Sequence, residues 1–155
     1  MTQSDYDSGP DTLKHIFRVQ ELIYRACNIL HERATEHDTS KLYPPEKELY
    51  DKLTPLLSGS EYNSPEYMEF LKKLKPALDH HYANNSHHPE HYPDGVAGMN
   101  LFDLIEMFLD WKAASERHET GNIYVSIEKN TDRFNLDPQI VSIFKNTAKF
   151  MEWEK

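Results

Sequence analysis

Residues 100–119 read NLFDLIEMFLDWKAASERHE. Apolar residues recur at three- and four-residue spacing through Leu101, Leu104, Ile105, Phe108 and Leu109, which is the period of a helix. Asn100 is a good N-cap, and Gly121 supplies a stop. Asp103, Glu106 and Asp110 stand at i, i+3 and i+7, so the three carboxylates share one face. Met99, Phe102, Met107 and Trp111 flank that helix and leave little of its circumference for water. An acid on such a helix needs a cation or a metal as partner. That reading is favoured over solvation for Asp110, while for Asp103 and Glu106 the two are equal alternatives.

Working outward, the same period governs the rest of the chain. Upstream, Ser64-Pro65 opens a helix with Tyr67, Phe70, Leu71, Leu74 and Leu78. Before it, a helix from Pro45 to Leu57 turns Leu49, Leu53 and Leu56 inward and is broken by Ser58-Gly59-Ser60. The first helix runs from Leu13 to about Ala34, with Leu13, Ile16, Phe17, Val19, Ile23, Cys27 and Leu30 in phase. Downstream come a short helix around Ser126 to Phe134 and a last one from Asp137-Pro138 to about Trp153. No alternation of strand type persists. The expectation is an all-α, single-domain bundle of about six helices over residues 12–155, after a flexible stretch 1–11.

At 155 residues, 38% of them hydrophobic and 28% charged, the chain suits one soluble globular domain with a core of its own. Its single cysteine, Cys27, cannot form a disulfide framework, and no signal pattern or membrane-length apolar run is present, so a cytoplasmic setting is expected. The net charge of −9 argues against binding duplex nucleic acid through its phosphates. A small phosphorylated ligand stays open, because a metal or a local cation outweighs global charge inside a pocket.

Two further stretches carry chemistry. Residues 78–95, LDHHYANNSHHPEHYPDG, hold five of the nine histidines. Helical phasing from Leu74 and Leu78 turns His81 inward and His80 sideways. Asn84 and Asn85 form turns or bond substrate. Residues 36–41, EHDTSK, offer an imidazole and a carboxylate side by side in His37-Asp38, a mixed pair that divalent metals accept. Lys41 either meets a phosphate or sits in water. His15, taken alone, reads as a core histidine. His118 reads as a helix cap outside any site, and Arg117 and Arg133 as surface ion pairs or phosphate contacts.

In order, KHIFRV with His15, HDTSK with His37 and Asp38, the histidine cluster, and FLDWKAAS with Asp110 resemble the HD-domain superfamily of metal-dependent phosphohydrolases. The HDTSK and HHPEHYPDG segments are similar to those of its cyclic-dinucleotide-degrading branch, although Gly95-Val96-Ala97-Gly98 stands where that branch has a Gly-Tyr-Pro element. The chain also looks like a small, largely uncharacterised bacterial and phage family with HDxSK, HHPEH and DLxEMxxDWKA motifs over most of residues 12–147. The resemblance implies an HD-like helical fold and one or two divalent ions (Mn, Mg, Fe, Co or Zn). As ligands it implies His15, His37, Asp38, His81 and Asp110. Lys41, His87 and His88 would act on the phosphoryl group, with Glu106, Asp103, Asn84, Glu90 and His91 supporting ligands or substrate. The implied activity is hydrolysis of a nucleotide or related small phosphate ester or anhydride by a metal-activated water. Alternatives are a di-iron oxygenase of the same fold, or a non-catalytic nucleotide or partner binder that uses Tyr62, Tyr67, Tyr82, Tyr92 and Trp111 as its surface. No membrane contact is expected, and a homodimer is, since two-helix contacts are common in all-α domains.

Overall fold

The structure is a computed structural model that describes residues 6–61, 64–117 and 121–153. Tyr62 and His118 lie outside the described residues. The protein is all-α, with six α-helices and three short 3-10 turns and no strand among the described residues. It divides into two compact units, one ending at Glu36 and one beginning at His37.

The first unit is one helix, α1, spanning Gly9–Glu36. Asp7 accepts from the Gly9 amide at 2.8 Å, and Asp11 sits in the first turn, where an acid complements the helix dipole.

The second unit starts with the His37-Asp38 doublet and a 3-10 turn, Thr39–Leu42. Helices α2 (Glu46–Gly59) and α3 (Pro65–Asn84) then pair around a small core of Leu53, Leu74 and Ala77. The Ser64 side chain caps α3 by accepting from Tyr67 N. This helix continues past Leu78, where apolar periodicity ends, so His80 and His81 are helical. Two 3-10 turns, Pro89–His91 and Gly95–Gly98, lead to α4 (Leu101–Ser115). Helices α5 (Ile123–Phe134) and α6 (Pro138–Phe150) complete the unit, capped by Asn122 and Asp137. The larger core lies among these last three helices. Met107, Phe108, Ile123, Ile127, Leu136, Phe144 and Ala148 are buried there, and the Phe108 and Phe144 rings stack at 4.6 Å.

One expectation for α4 is corrected. Leu101 and Leu109 are 67% and 48% exposed, so they do not belong to the buried face. Burial falls instead on Met107, Phe108 and Asp103. The reason is that α4 packs its apolar side on α5 and α6 and turns its acidic face to the histidines, which leaves Leu101 and Leu109 outside both contacts.

Candidate metal centre

The doublet is shaped by its backbone. Asp38 adopts a left-handed conformation, φ 56° and ψ 9°, which an L-residue holds at a cost of about 1–2 kcal/mol. Its carbonyl accepts from Lys41 N at 3.0 Å, closing the turn behind it. Strain at a residue bearing a reactive carboxylate is a common mark of function.

Around Asp38 the structure gathers imidazoles. His81 comes from the last turn of α3, and His87 and His88 come from the segment after it. His81 and His87 are 1% and 2% exposed, which is unusual for this residue type. His81 Nε2 lies 3.2 Å from Asp38 Oδ1 and 2.9 Å from His88 Nε2, and His87 Nε2 lies 3.5 Å from the same Asp38 oxygen. The rings of His37, His87 and His88 pack on one another, with centroids 4.6 Å apart for His37–His87 and 4.2 Å for His87–His88.

The outer nitrogens are held by glutamates. Glu106 Oε1 accepts from His37 Nδ1 at 2.8 Å and from His87 Nδ1 at 2.9 Å. Glu46 Oε2 accepts from His81 Nδ1 at 2.9 Å. A carboxylate only accepts, so each of these rings carries its proton on Nδ1 and presents a lone pair at Nε2. The Nε2 lone pairs of His81 and His87 therefore face one anionic oxygen, and the contact between His81 Nε2 and His88 Nε2 is a hydrogen bond in which His88 donates. In keeping with this, Asp38 Oδ1 and His87 Nε2 are buried without a hydrogen-bond partner.

Two sets of donor atoms result, each with members within 4.8 Å of one another: Asp38, His81, His87 and His88, and His37, Asp38 and Asp110. Asp38 belongs to both. Its Oδ2 lies 3.7 Å from His37 Nε2, and Asp110 Oδ1 lies 3.8 Å from the same nitrogen. Metal–nitrogen bonds of about 2.0–2.1 Å separate neighbouring donors by about 2.9 Å in an octahedron and about 3.3 Å in a tetrahedron. In the first set the His81–His88, His81–Asp38 and His87–Asp38 separations of 2.9, 3.2 and 3.5 Å are close to that spacing, and the His37 contacts of the second set are wider and more open to solvent. A third grouping, His37, His87 and Glu106, is better described as hydrogen bonds that orient the other two sets.

Charge is tuned accordingly. Burial pushes the Asp38 carboxyl up, but the groups around it, the Lys41 ammonium among them, outweigh burial and hold it well below the usual carboxylate range. The hydrogen bond to Glu106 raises His37 against the opposing effect of burial, with Asp38 and Asp110 adding to the rise. Burial, reinforced by His87 and His81, lowers His88 to about 3.

Most of the remaining sequence candidates are held by partners of their own. Lys41 Nζ donates to Asp38 Oδ2 at 2.6 Å. Asp103 is fully buried and clasps the histidine segment: it accepts from Ser86 Oγ at 2.7 Å, Tyr92 OH at 2.7 Å and Asn100 N at 3.0 Å. His91 Nδ1 donates to Tyr82 O, Glu90 pairs with Arg133 at 2.6 Å, and Asn84 donates to His80 O, so all three hold local structure. Asn85 donates to Ser40 Oγ and His81 O. His15 stands on α1 in the first unit and is in neither donor set. Glu46 was not anticipated. An acid at the start of a helix reads as a partner for its dipole, and nothing in the sequence marks this one as buried.

A family model described as a family of unknown function, DUF5662, matches residues 4–150 of the chain. No curated protein and no solved structure matches it.

Proposed function

The chain belongs to this family of unknown function, and from its side chains we propose a metal-dependent phosphohydrolase that acts on a nucleotide or related small phosphate ester or anhydride. The observation that carries the reading is the pair of buried atoms, Asp38 Oδ1 and His87 Nε2, that face each other 3.5 Å apart with no hydrogen-bond partner. Each unsatisfied buried group costs about 1–3 kcal/mol. A cation held by Asp38, His81, His87 and His88 would remove that cost. Asp38, His81, His87 and His88 would hold one divalent ion, and His37, Asp38 and Asp110 a second. Such ions supply Lewis acidity, lowering the pKa of a coordinated water from about 15.7 towards 7 and drawing charge from a phosphoryl oxygen.

The chain's own residues do the rest. Glu46 and Glu106 keep the imidazoles in the donating tautomer. Lys41, 36% exposed at its side chain, offers a flexible cation to an anionic substrate. His37 and Asp110, 30% and 24% exposed, leave the second set open on the side a substrate must enter. In this arrangement His87 and His88 would be donors to the ion rather than proton carriers, a reading supported by their Nε2 atoms facing Asp38 and His81.

The test is metal analysis of the purified protein with a nucleotide panel assayed in Mn, Mg, Co and Fe. Phosphate release that is lost in Asp38→Ala and His87→Ala is expected. No bound metal and no turnover would sink the proposal. Oxygen consumption by an iron-loaded sample without phosphate release would replace it with oxidative chemistry, and nucleotide binding that persists in chelator without turnover would replace it with a binding role.

A further inference from the structure

We infer that Glu46 is a positioning residue whose carboxylate decides which ring nitrogen of His81 carries the proton, and so whether His81 can serve as a metal donor. For its metal half this rests on the function proposed above. Glu46 is the first residue of α2, a position where glutamate ordinarily reaches into water, yet it is fully buried. Both oxygens are used. Oε1 accepts from His80 Nδ1 at 2.7 Å, and Oε2 accepts from His81 Nδ1 at 2.9 Å and Ser40 Oγ at 3.1 Å. These partners, two imidazoles and a hydroxyl, include no lysine or arginine. A carboxylate buried on such partners is expensive, and an apolar side chain would fill the space at less cost. Packing alone therefore does not account for it.

The directions of the hydrogen bonds do. Asn85 Nδ2 lies 3.1 Å from His81 Nδ1, but an amide N–H cannot bond to a nitrogen that already bears a proton. Asn85 donates instead to His81 O at 2.8 Å and to Ser40 Oγ at 3.0 Å. Ser40 Oγ in turn donates a hydrogen bond to Glu46 Oε2. The donors Asn85 and Ser40 thus both point towards the Glu46 carboxylate, and His81 completes the set with Nδ1–H. Its Nε2 lone pair is left facing Asp38 Oδ1 and His88 Nε2. Without the Glu46 acceptor, the lower-energy tautomer of His81 carries the proton on Nε2 and donates to the Asp38 oxygen 3.2 Å away, which closes the donor set.

The experiment is imidazole 15N NMR on the metal-free full-length chain, followed by cobalt(II) titration read in the visible spectrum. Wild-type His81 is expected as the Nδ1–H tautomer. Glu46→Leu is expected to move it to Nε2–H and to weaken cobalt(II) binding 10- to 100-fold. Glu46→Gln keeps an acceptor when its oxygen faces Ser40 and His81, so it is expected to retain the wild-type tautomer and lose less than about tenfold. His81 found as Nε2–H in the wild type overturns the inference even if Glu46→Leu does not fold. So does an unchanged tautomer or unchanged cobalt(II) affinity in Glu46→Leu. A tautomer switch in a protein whose wild type binds no cobalt(II) upholds the positioning role and removes the metal reading instead.

Discussion

Asp38 serves both donor sets through different oxygens, so one substitution tests both. Asp38→Asn keeps the shape and tolerates the left-handed backbone, where asparagine is among the favoured residues. The expected outcome is a folded protein by circular dichroism that has lost cobalt(II) affinity by more than about 100-fold, with both ions affected. His37 gives a pH prediction. Its folded pKa is raised, so protons compete with metal at this ring at a higher pH than at an ordinary imidazole. In the metal-free protein the His37–Glu106 contact contributes stability that is complete below the unfolded value and lost as pH rises through the folded one. Metal binding has the opposite slope. The set that contains His37 is therefore expected to empty as pH falls from 7.5 to 5.5, while His88, lowered to about 3, stays unprotonated throughout. Metal stoichiometry measured after dialysis at each pH checks this; full occupancy of both sets at pH 5.5 refutes it.

At the scale of one element, the acidic residues of α4 meet different partners along its length. Asp103 clasps the segment that bears His87 and His88, Glu106 orients His37 and His87, and Asp110 offers a donor. Their substitutions should separate. Asp103→Ala removes a capping box and two side-chain hydrogen bonds, and should lower stability by about 2–4 kcal/mol in urea unfolding of the metal-free chain. Glu106→Gln should lower stability by less than Asp103→Ala and would weaken both ions about 10- to 100-fold, whereas Asp110→Asn would weaken one. Equal effects of Glu106→Gln and Asp110→Asn on the two ions would contradict this division. The helix itself was legible in the sequence, as were its neighbours, because apolar periodicity and the caps Ser64, Asn100 and Asp137 are local signals. The far end of α3 was less so, since its last turn carries histidines and asparagines with no apolar rhythm. Of the centre, the shared face of Asp103, Glu106 and Asp110 and the inward phase of His81 could be read from spacing. The pairing of Glu106 with His37 spans 69 positions and that of Glu46 with His81 spans 35, and contacts of that range leave no trace in a single sequence.

For the second unit as a whole, the centre lies where two cores meet. Glu46 and His81 come from the α2–α3 pair, and Glu106 and Asp110 from the α4–α6 bundle. An ion held by both would tie the halves together and stabilise the native state by mass action. At 100 times its dissociation constant the gain is about 2.7 kcal/mol, or roughly 10 °C in Tm. A thermal scan with cobalt(II) and then with chelator measures it, and a Tm that ignores both would count against an ion at this junction. No helix among the described residues is long and apolar enough to cross a membrane. The ion pair between Lys41 Nζ and Asp38 Oδ2 has a further effect on how such a site assembles. In the metal-free chain the lysine is a tethered placeholder, lending Asp38 the positive charge that an ion would bring. An ion held by Asp38 would compete with the ammonium for that oxygen. On the proposed function Lys41 would then be released to an anion, so that loading would come first and capture of substrate second, with one side chain keeping the order.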